Sequence, residues 1–549
     1  MKCEMMKRYV LTIVAVMAVL SVAAGNRSQR QMRAIAEQQL RGTMTRGGDA
    51  LQLETIYQNE ALAVLGDTAV GFAVVSRSDE QQPVLGVSKA AFSRNEAPEA
   101  YRWWLREMTR RLATGIPLKA RSMTAVANFV KTKWDQSDPF NGMCPMDGTT
   151  RCPTGCVATA MAQVMKYYDY PAQGRGTGYY TVGDDEKEHK VSINSTYDWQ
   201  NMHEAYKTGS GSVGSSAKRA VQQLMYDAGC AVGMNYTAEG SGANDFYAAI
   251  AMFQNFRYDS LAIRYLYRGL YTDEEWEGML YTELAQKNPI LYGAFDAELE
   301  AGHAFLLTGY DEEGKVYVNW GWGRGIPGEG YDGYFELSGL VLQDTFNFDS
   351  DHDMVLGFRP QEQPVSSDEY FSLWVFTEPF QLKLVKPGKL LFGISGFYNQ
   401  HVLDFQGILW YTFRNTANGR TITAPILDLE TDVMPSGWGY FATKEEGGMM
   451  TDTLYMESFN PGTYEFTIAS QARGEKVMSP MRTYGGPQYI TIIKADDGTI
   501  TVEGQELTAI AAPRRQEADG SGTAYDLSGQ RRIGGSGIRI RDGQKFMQK

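Results

Sequence analysis

At 549 residues, with 43% hydrophobic and 12% aromatic side chains, the chain is long and apolar enough for roughly two to four packed cores, which excludes a disordered or collagen-like polymer. Its 52 basic residues against 65 acidic ones give a formal charge of −13. No long basic cluster is present to neutralise a phosphate backbone, so nucleic acid is excluded as an expected partner.

In chain order, Lys2, Lys7 and Arg8 precede an apolar run from Tyr9 to Ala24 that ends in small residues, the pattern of an export signal cut near Ala24 or Gly25. Arg27 and Arg30 could flank a membrane anchor, but the run falls short of the ~20 apolar residues that cross a bilayer. No later segment is apolar enough over that length, so no transmembrane segment is expected. Residues 1–24 therefore read as a signal peptide and the rest as secreted, extracellular or cell-surface material.

Residues 25–115 form a mixed segment, with a predicted helix from Arg30 to Leu40 and strand-like runs such as Thr68 to Val75. The segment closes with a helix from Pro98 to Leu112, in which Tyr101, Trp104, Leu105, Met108 and Leu112 recur at helical spacing before Gly115. The stretch Ile116 to Met123, where Lys119 and Arg121 sit among small residues, has the composition of an exposed, cleavable connector. Residues 116–360 carry mixed patterns, strand-rich around Ile290 to Phe335, and read as an α+β unit. Over residues 361–506 short alternating runs (Phe371 to Phe376, Leu382 to Val385, Leu403 to Phe413) recur between Gly, Pro and Asn turns, the spacing of a β-sandwich. Residues 507–549 end in a basic, glycine-rich segment from Tyr525 to Lys549 that reads as a hairpin.

Once the signal is removed, Cys144, Cys152, Cys156 and Cys230 remain. The plain reading of an even number in an oxidising compartment is two disulfides. Metal and cofactor are not expected, because the neighbouring residues offer no ligand pair at zinc spacing. Cys156 differs from the others in position. Gly155 and Cys156 stand where a helix begins, Val157, Ala160, Met161, Val164, Met165 and Tyr168 define its buried face, and Pro171 lies past its end. The partial positive charge of a helix N-terminus favours thiolate over thiol, as a nucleophile requires.

A proton acceptor is found at His303, at the start of the apolar run Ala301 to Tyr310. Asp311 to Gly314 makes a turn, and Lys315 to Trp320 returns as a second strand carrying Asn319. Imidazole can take the thiol proton and later give it to the leaving amine, while an amide on its other nitrogen fixes the ring. The order Cys, His, Asn is that of papain-like enzymes. His303 falls within, and Asn319 just beyond, the roughly 130–150 residues downstream of the nucleophile seen in that class. His189 and His203 lie in polar stretches, and His352 and His401 lie outside the strand-rich half that holds Asn319.

The blocks GCVATAMAQVMKYYDYP, GHAFLLTGYD and VYVNWGWG resemble those of the streptopain family of papain-fold cysteine peptidases. The resemblance extends over roughly Arg30 to Pro360 and includes the helix with Trp103, Trp104 and Leu105. It implies a papain-like peptidase domain preceded by an inhibitory pro-domain, with protein or peptide substrates. Cys156 is then the nucleophile, His303 the base and acid, Asn319 its orienter and Trp320 the shield of their hydrogen bond. Gln136 is the implied oxyanion donor beside the Cys156 N–H. Gly302 and Ser241 are implied to line the substrate cleft. The glycine-rich loop Gly321 to Gly333 reads as a flap or a plain surface loop. The C-terminal residues depart from the family pattern, and the last segment resembles tails that carry export or surface-attachment information. A transglutaminase-type acyltransferase, which prefers Asp to Asn as third residue, and an inactive adhesin are the competing readings.

Overall fold

The computed structural model describes residues 25–41, 51, 53–67, 70–90, 97–115, 117–118, 121–206, 213–296, 301–322, 331–337, 352–361, 376–377, 380–429, 431–442, 449–474, 476, 478–483, 488–504, 537–541 and 544–548. The expected signal peptide, Lys119 of the connector and most of the loop Gly321 to Gly333 lie outside these residues. Among the described residues no helix is long and apolar enough to cross a membrane. The chain divides into two compact units: residues 1–127, 310–320 and 328–341 form one, and the remainder forms the other.

In the first unit the helix Gln29–Arg41 buries Met32, Ala36 and Leu40, one face at helical spacing. They pack against Ala63, Leu65, Ala73 and Val75, which alternate along the strands beneath. Strands Glu54–Gln58, Leu62–Asp67, Gly71–Ser76 and Val84–Ser88 pair antiparallel in chain order. The sheet then takes in two strands from far downstream. Val84–Ser88 pairs with Gly333–Phe335, which pairs with Val316–Asn319. The helix Glu99–Ala113 covers these strands with aromatic rings: Trp104 lies 5.0 Å from Phe335 and Tyr101 5.7 Å from it. A side chain at position 86 would strike Phe335, so Gly86 is what lets that ring lie over the strand.

The second unit is built around the helix Cys156–Tyr168, whose residues from Val157 to Met165 are all buried. It shares one core with Leu224, Met225 and Ala228 of the helix Ser215–Ala231, with Ala248 and Met252 of the helix Asp245–Gln254, and with Leu291, Leu306 and Val355 of the sheet. In that sheet His352–Leu356 lies between Arg264–Tyr267 and Ile290–Asp296, and Ile290–Asp296 pairs in turn with Ala301–Tyr310. His352 thus enters the same sheet as His303, contrary to the sequence reading, because the last strand is inserted between earlier ones.

Among the C-terminal residues of this unit two antiparallel sheets face one core, and a third, smaller one pairs Phe376–Thr377, Gly396–Tyr398 and Gly439–Phe441. Phe380, Leu382, Leu390, Phe392 and Leu454 come from one sheet. Leu409, Tyr411, Phe413, Phe466, Ile468 and Ile492 come from the other. The final residues pair as the hairpin Gly537–Arg541 with Gln544–Gln548. These sheets are joined to the helical part by Arg482. Its guanidinium makes two bonds to Glu275, at 2.8 and 3.1 Å, donates to the Leu270 carbonyl, and lies over the Tyr271 ring.

Candidate active site

The loop Cys152–Gly155, which presents Cys156, is held at each residue. The Cys152 carbonyl accepts from Asn141 Nδ2 at 3.1 Å, and the Pro153 carbonyl accepts from Ser241 Oγ at 2.8 Å. The Thr154 N–H donates to the Gln136 carbonyl at 2.9 Å, and the Gly155 carbonyl accepts from Thr159 Oγ1 at 2.9 Å. Gly155 has φ 86°, and a Cβ there would lie 2.6 Å from Met234 Cε and 3.0 Å from the Ser241 carbonyl. A side chain would meet both strain and collision at this position.

Cys156 follows as the first residue of its helix. Two influences act on its thiol. Burial dominates and pushes it up to about 11, with the Asp245 carboxylate acting in the same direction. Backbone hydrogen bonds from Ala304, Val157 and Cys156 itself oppose them. Ala304 is the residue after His303, so the strand that carries the histidine also supplies a contact to the nucleophile. His303 is partly exposed and pairs across the sheet with Ala294, and Gly302 pairs with Phe295.

Gln136 is 6% exposed, and its main chain is tied to Thr154 two residues before Cys156. The segment before it is anchored by Thr132 Oγ1 on Gln163 at 2.8 Å and by Trp134 Nε1 on the His203 carbonyl at 2.9 Å. Ser241 is nearly buried, its hydroxyl committed to Pro153. Cys156, Gln136, Ser241, Gly302 and His303 therefore all belong to the second unit, and Asn319 and Trp320 belong to the first. Asn319 is buried at the end of its strand. The Trp320 N–H donates to Asp332 Oδ1 at 3.0 Å, and its indole N–H donates to the Tyr331 carbonyl at 3.1 Å.

The other histidines have different surroundings. His189 stacks on Tyr180 and His203 meets Tyr206 edge-on. His352 Nδ1 lies 2.8 Å from Tyr292 Oη, and burial lowers both His352 and His401 to about 3, so neither takes up a proton at neutral pH. Cys144, Cys152 and Cys230 are buried free thiols, not disulfides. Sequence reading passed over Asn141, Thr154 and Ala304, whose contribution is made by an amide or by main-chain atoms at positions with no periodic signal.

Residues 134–335 match the Peptidase C10 family. The thiol protease/hemagglutinin PrtT of Porphyromonas gingivalis is 28% identical over 53% of this chain, which spans only 36% of that protein's length. Streptopain of Streptococcus pyogenes serotype M1 is 29% identical over 49% of this chain and 72% of its own. Among solved structures, the prointerpain A fragment of Prevotella intermedia superposes with a TM-score of 0.50 at 33% identity, covering 56% of this chain and 99% of that fragment.

Proposed function

The chain belongs to the Peptidase C10 family, the streptopain-like cysteine peptidases, and from that premise we propose that it is a secreted cysteine endopeptidase made as a latent zymogen. The observation that carries the reading is Cys156 at the start of a buried helix, presented by a loop fixed at every residue. In this reading His303 takes the thiol proton and Cys156 attacks the scissile carbonyl. The oxyanion is received by the Cys156 N–H and the Gln136 side chain. The imidazolium then protonates the leaving amine, and water, activated by the same imidazole, releases the acid and restores the thiol. Asn319 orients the imidazole and Trp320 covers that hydrogen bond, and Gly302 and Ser241 border the bound peptide. No metal enters any step.

Latency is supported by the first unit. Residues 25–115 contribute a four-stranded sheet whose last strand, Val84–Ser88, pairs with Gly333–Phe335, and the helix Glu99–Ala113, whose Tyr101 and Trp104 rings lie against Phe335; Gly333–Phe335 pairs in turn with Val316–Asn319, and both downstream strands lie within the stretch matching the family. In this reading the N-terminal segment, attached through Gly333–Phe335 to the strand bearing Asn319, is the pro-domain, and cutting near Lys119 or Arg121 would release it. The test is incubation of the activated protein, with the N-terminal segment cut away, with denatured casein and a thiol-directed epoxide. Hydrolysis blocked by the epoxide is expected, and hydrolysis that the epoxide leaves untouched sinks the reading.

A further inference from the structure

Behind the nucleophile, the sheet carries one row of residues across three strands: Ala304 pairs with Gly293, and Gly293 pairs with Asp353. Because side chains of one such row share a face, Asp353 projects on the side on which Ala304 is buried against the helix of Cys156. Asp245 opens the neighbouring helix Asp245–Gln254, directly after its capping residue Asn244. The carboxyl groups of Asp245 and Asp353 meet over Gly293. A Cβ at that position would collide with an oxygen of each, so glycine is what gives the two carboxyls room to meet. The other oxygen of Asp353 accepts from Tyr265 Oη at 3.0 Å. Across the strand pair, the Ala304 main chain reaches the Cys156 sulfur.

We propose that Asp245 and Asp353 are a proton-sharing positioning pair that sets the ionisation of Cys156 from behind, so that each negative charge gained by the pair makes the thiolate harder to form. The proposal rests on the reading of Cys156 as nucleophile. Two buried carboxyls brought this close cannot both ionise freely, so one retains its proton well into the range where an isolated aspartate is charged. Burial, with the neighbouring Asp353 charge adding to it, drives Asp245 well above its ordinary value, and burial holds Asp353 up at about 6. The groups facing the pair are Tyr265 from the strand Arg264–Tyr267 and Cys156 from its helix, while Tyr292 lies on the other face of the sheet, where its hydroxyl meets His352 Nδ1. His303 and His352 stand one position along the sheet, in the next row. The consequence is a nucleophile adapted to acid-to-neutral conditions, since raising the pH charges the pair before it can charge the thiol.

The experiment is the pH profile of Cys156 alkylation by iodoacetamide in the full chain, followed by mass spectrometry on the peptide that contains it. In the double variant Asp245→Asn with Asp353→Asn the midpoint should fall by about one pH unit, a roughly tenfold faster alkylation below it. An unchanged midpoint overturns the proposal. If the double variant does not fold, Asp245→Asn alone decides the matter through thermal unfolding. Raised carboxyl pKa values stabilise the fold at acid pH, and that contribution is lost as pH rises through the folded value. Asp245→Asn should therefore unfold at a higher temperature than the wild type at alkaline pH, with the gap closing toward acid. A gap independent of pH overturns the pairing. Failure of the peptidase reading is distinguishable, because casein hydrolysis surviving Cys156→Ala would leave the thiol titration as it is.

Discussion

Tyr101 stands edge-on to Trp320, with ring centroids 6.0 Å apart and planes at 84°. One ring belongs to the N-terminal helix Glu99–Ala113 and the other follows Asn319 directly. Beside them, Trp104 Nε1 donates to the Glu336 carbonyl at 2.7 Å, and Gln82 Nε2 donates to the Glu336 side chain at 2.8 Å. The N-terminal segment is thus attached to the downstream strands by backbone pairing, aromatic contact and buried hydrogen bonds together.

Trp104→Ala removes a fully buried indole and its hydrogen bond, a change that costs about 3–5 kcal/mol where the cavity does not collapse. The variant should convert to the processed form faster than the wild type, as read by gel densitometry over time. Trp104→Phe, which keeps most of the apolar contact, should lie between the two. Conversion no faster than wild type in Trp104→Ala would remove aromatic docking as a source of latency.

Gly155→Ala forces a side chain onto a residue at φ 86° with Met234 2.6 Å away. Strain of about 1–3 kcal/mol at that residue should appear as a lowered unfolding temperature. The displaced Cys156 should cost hydrolysis more than stability. Normal kcat in a folded Gly155→Ala protein would show that the loop tolerates rearrangement.

Gln136→Ala should reduce kcat on a peptide substrate by about 10²–10³-fold, the usual effect of losing one oxyanion donor, while KM changes little. Asn319→Ala should weaken turnover less than Cys156→Ala does. An effect of Gln136→Ala confined to KM would assign it to substrate binding instead.

Glu275 is held down to about 2, first by its hydrogen bonds from Arg482. A depressed carboxyl pKa stabilises the fold above its unfolded value and loses that contribution as pH falls through the folded one. The pair is partly exposed, so its worth is on the order of 1 kcal/mol or less. Glu275→Gln should therefore unfold at a slightly lower temperature than wild type at neutral pH, with the difference vanishing in strong acid. A difference that persists in strong acid would place the effect in packing.

Helical periodicity was the most legible feature of the sequence. The runs Arg30 to Leu40 and Pro98 to Leu112 correspond to the helices Gln29–Arg41 and Glu99–Ala113, and Cys156 opens its helix as expected. Strand ends were less legible. The run Leu403 to Phe413 becomes a strand only at Gly407, because Asn399 and His401 accept backbone hydrogen bonds that fold the preceding residues into a turn. The run Thr68 to Val75 begins its strand at Gly71. Features made by strand insertion had no local signal. His352 reaches the sheet of His303 because its strand slots between two earlier ones, and Asp245 meets Asp353 across the same rearrangement. The even cysteine number misled for a similar reason, since pairing depends on three-dimensional position.

The central claim, that Cys156 is the nucleophile, is tested most directly by measuring casein hydrolysis by Cys156→Ala beside the wild type, each treated with the epoxide and mapped by mass spectrometry. The account predicts no hydrolysis by Cys156→Ala, and in the wild type a single epoxide adduct on the Cys156 peptide that grows as activity falls. Hydrolysis persisting in Cys156→Ala, or activity lost with the adduct on Cys144, Cys152 or Cys230, would contradict it.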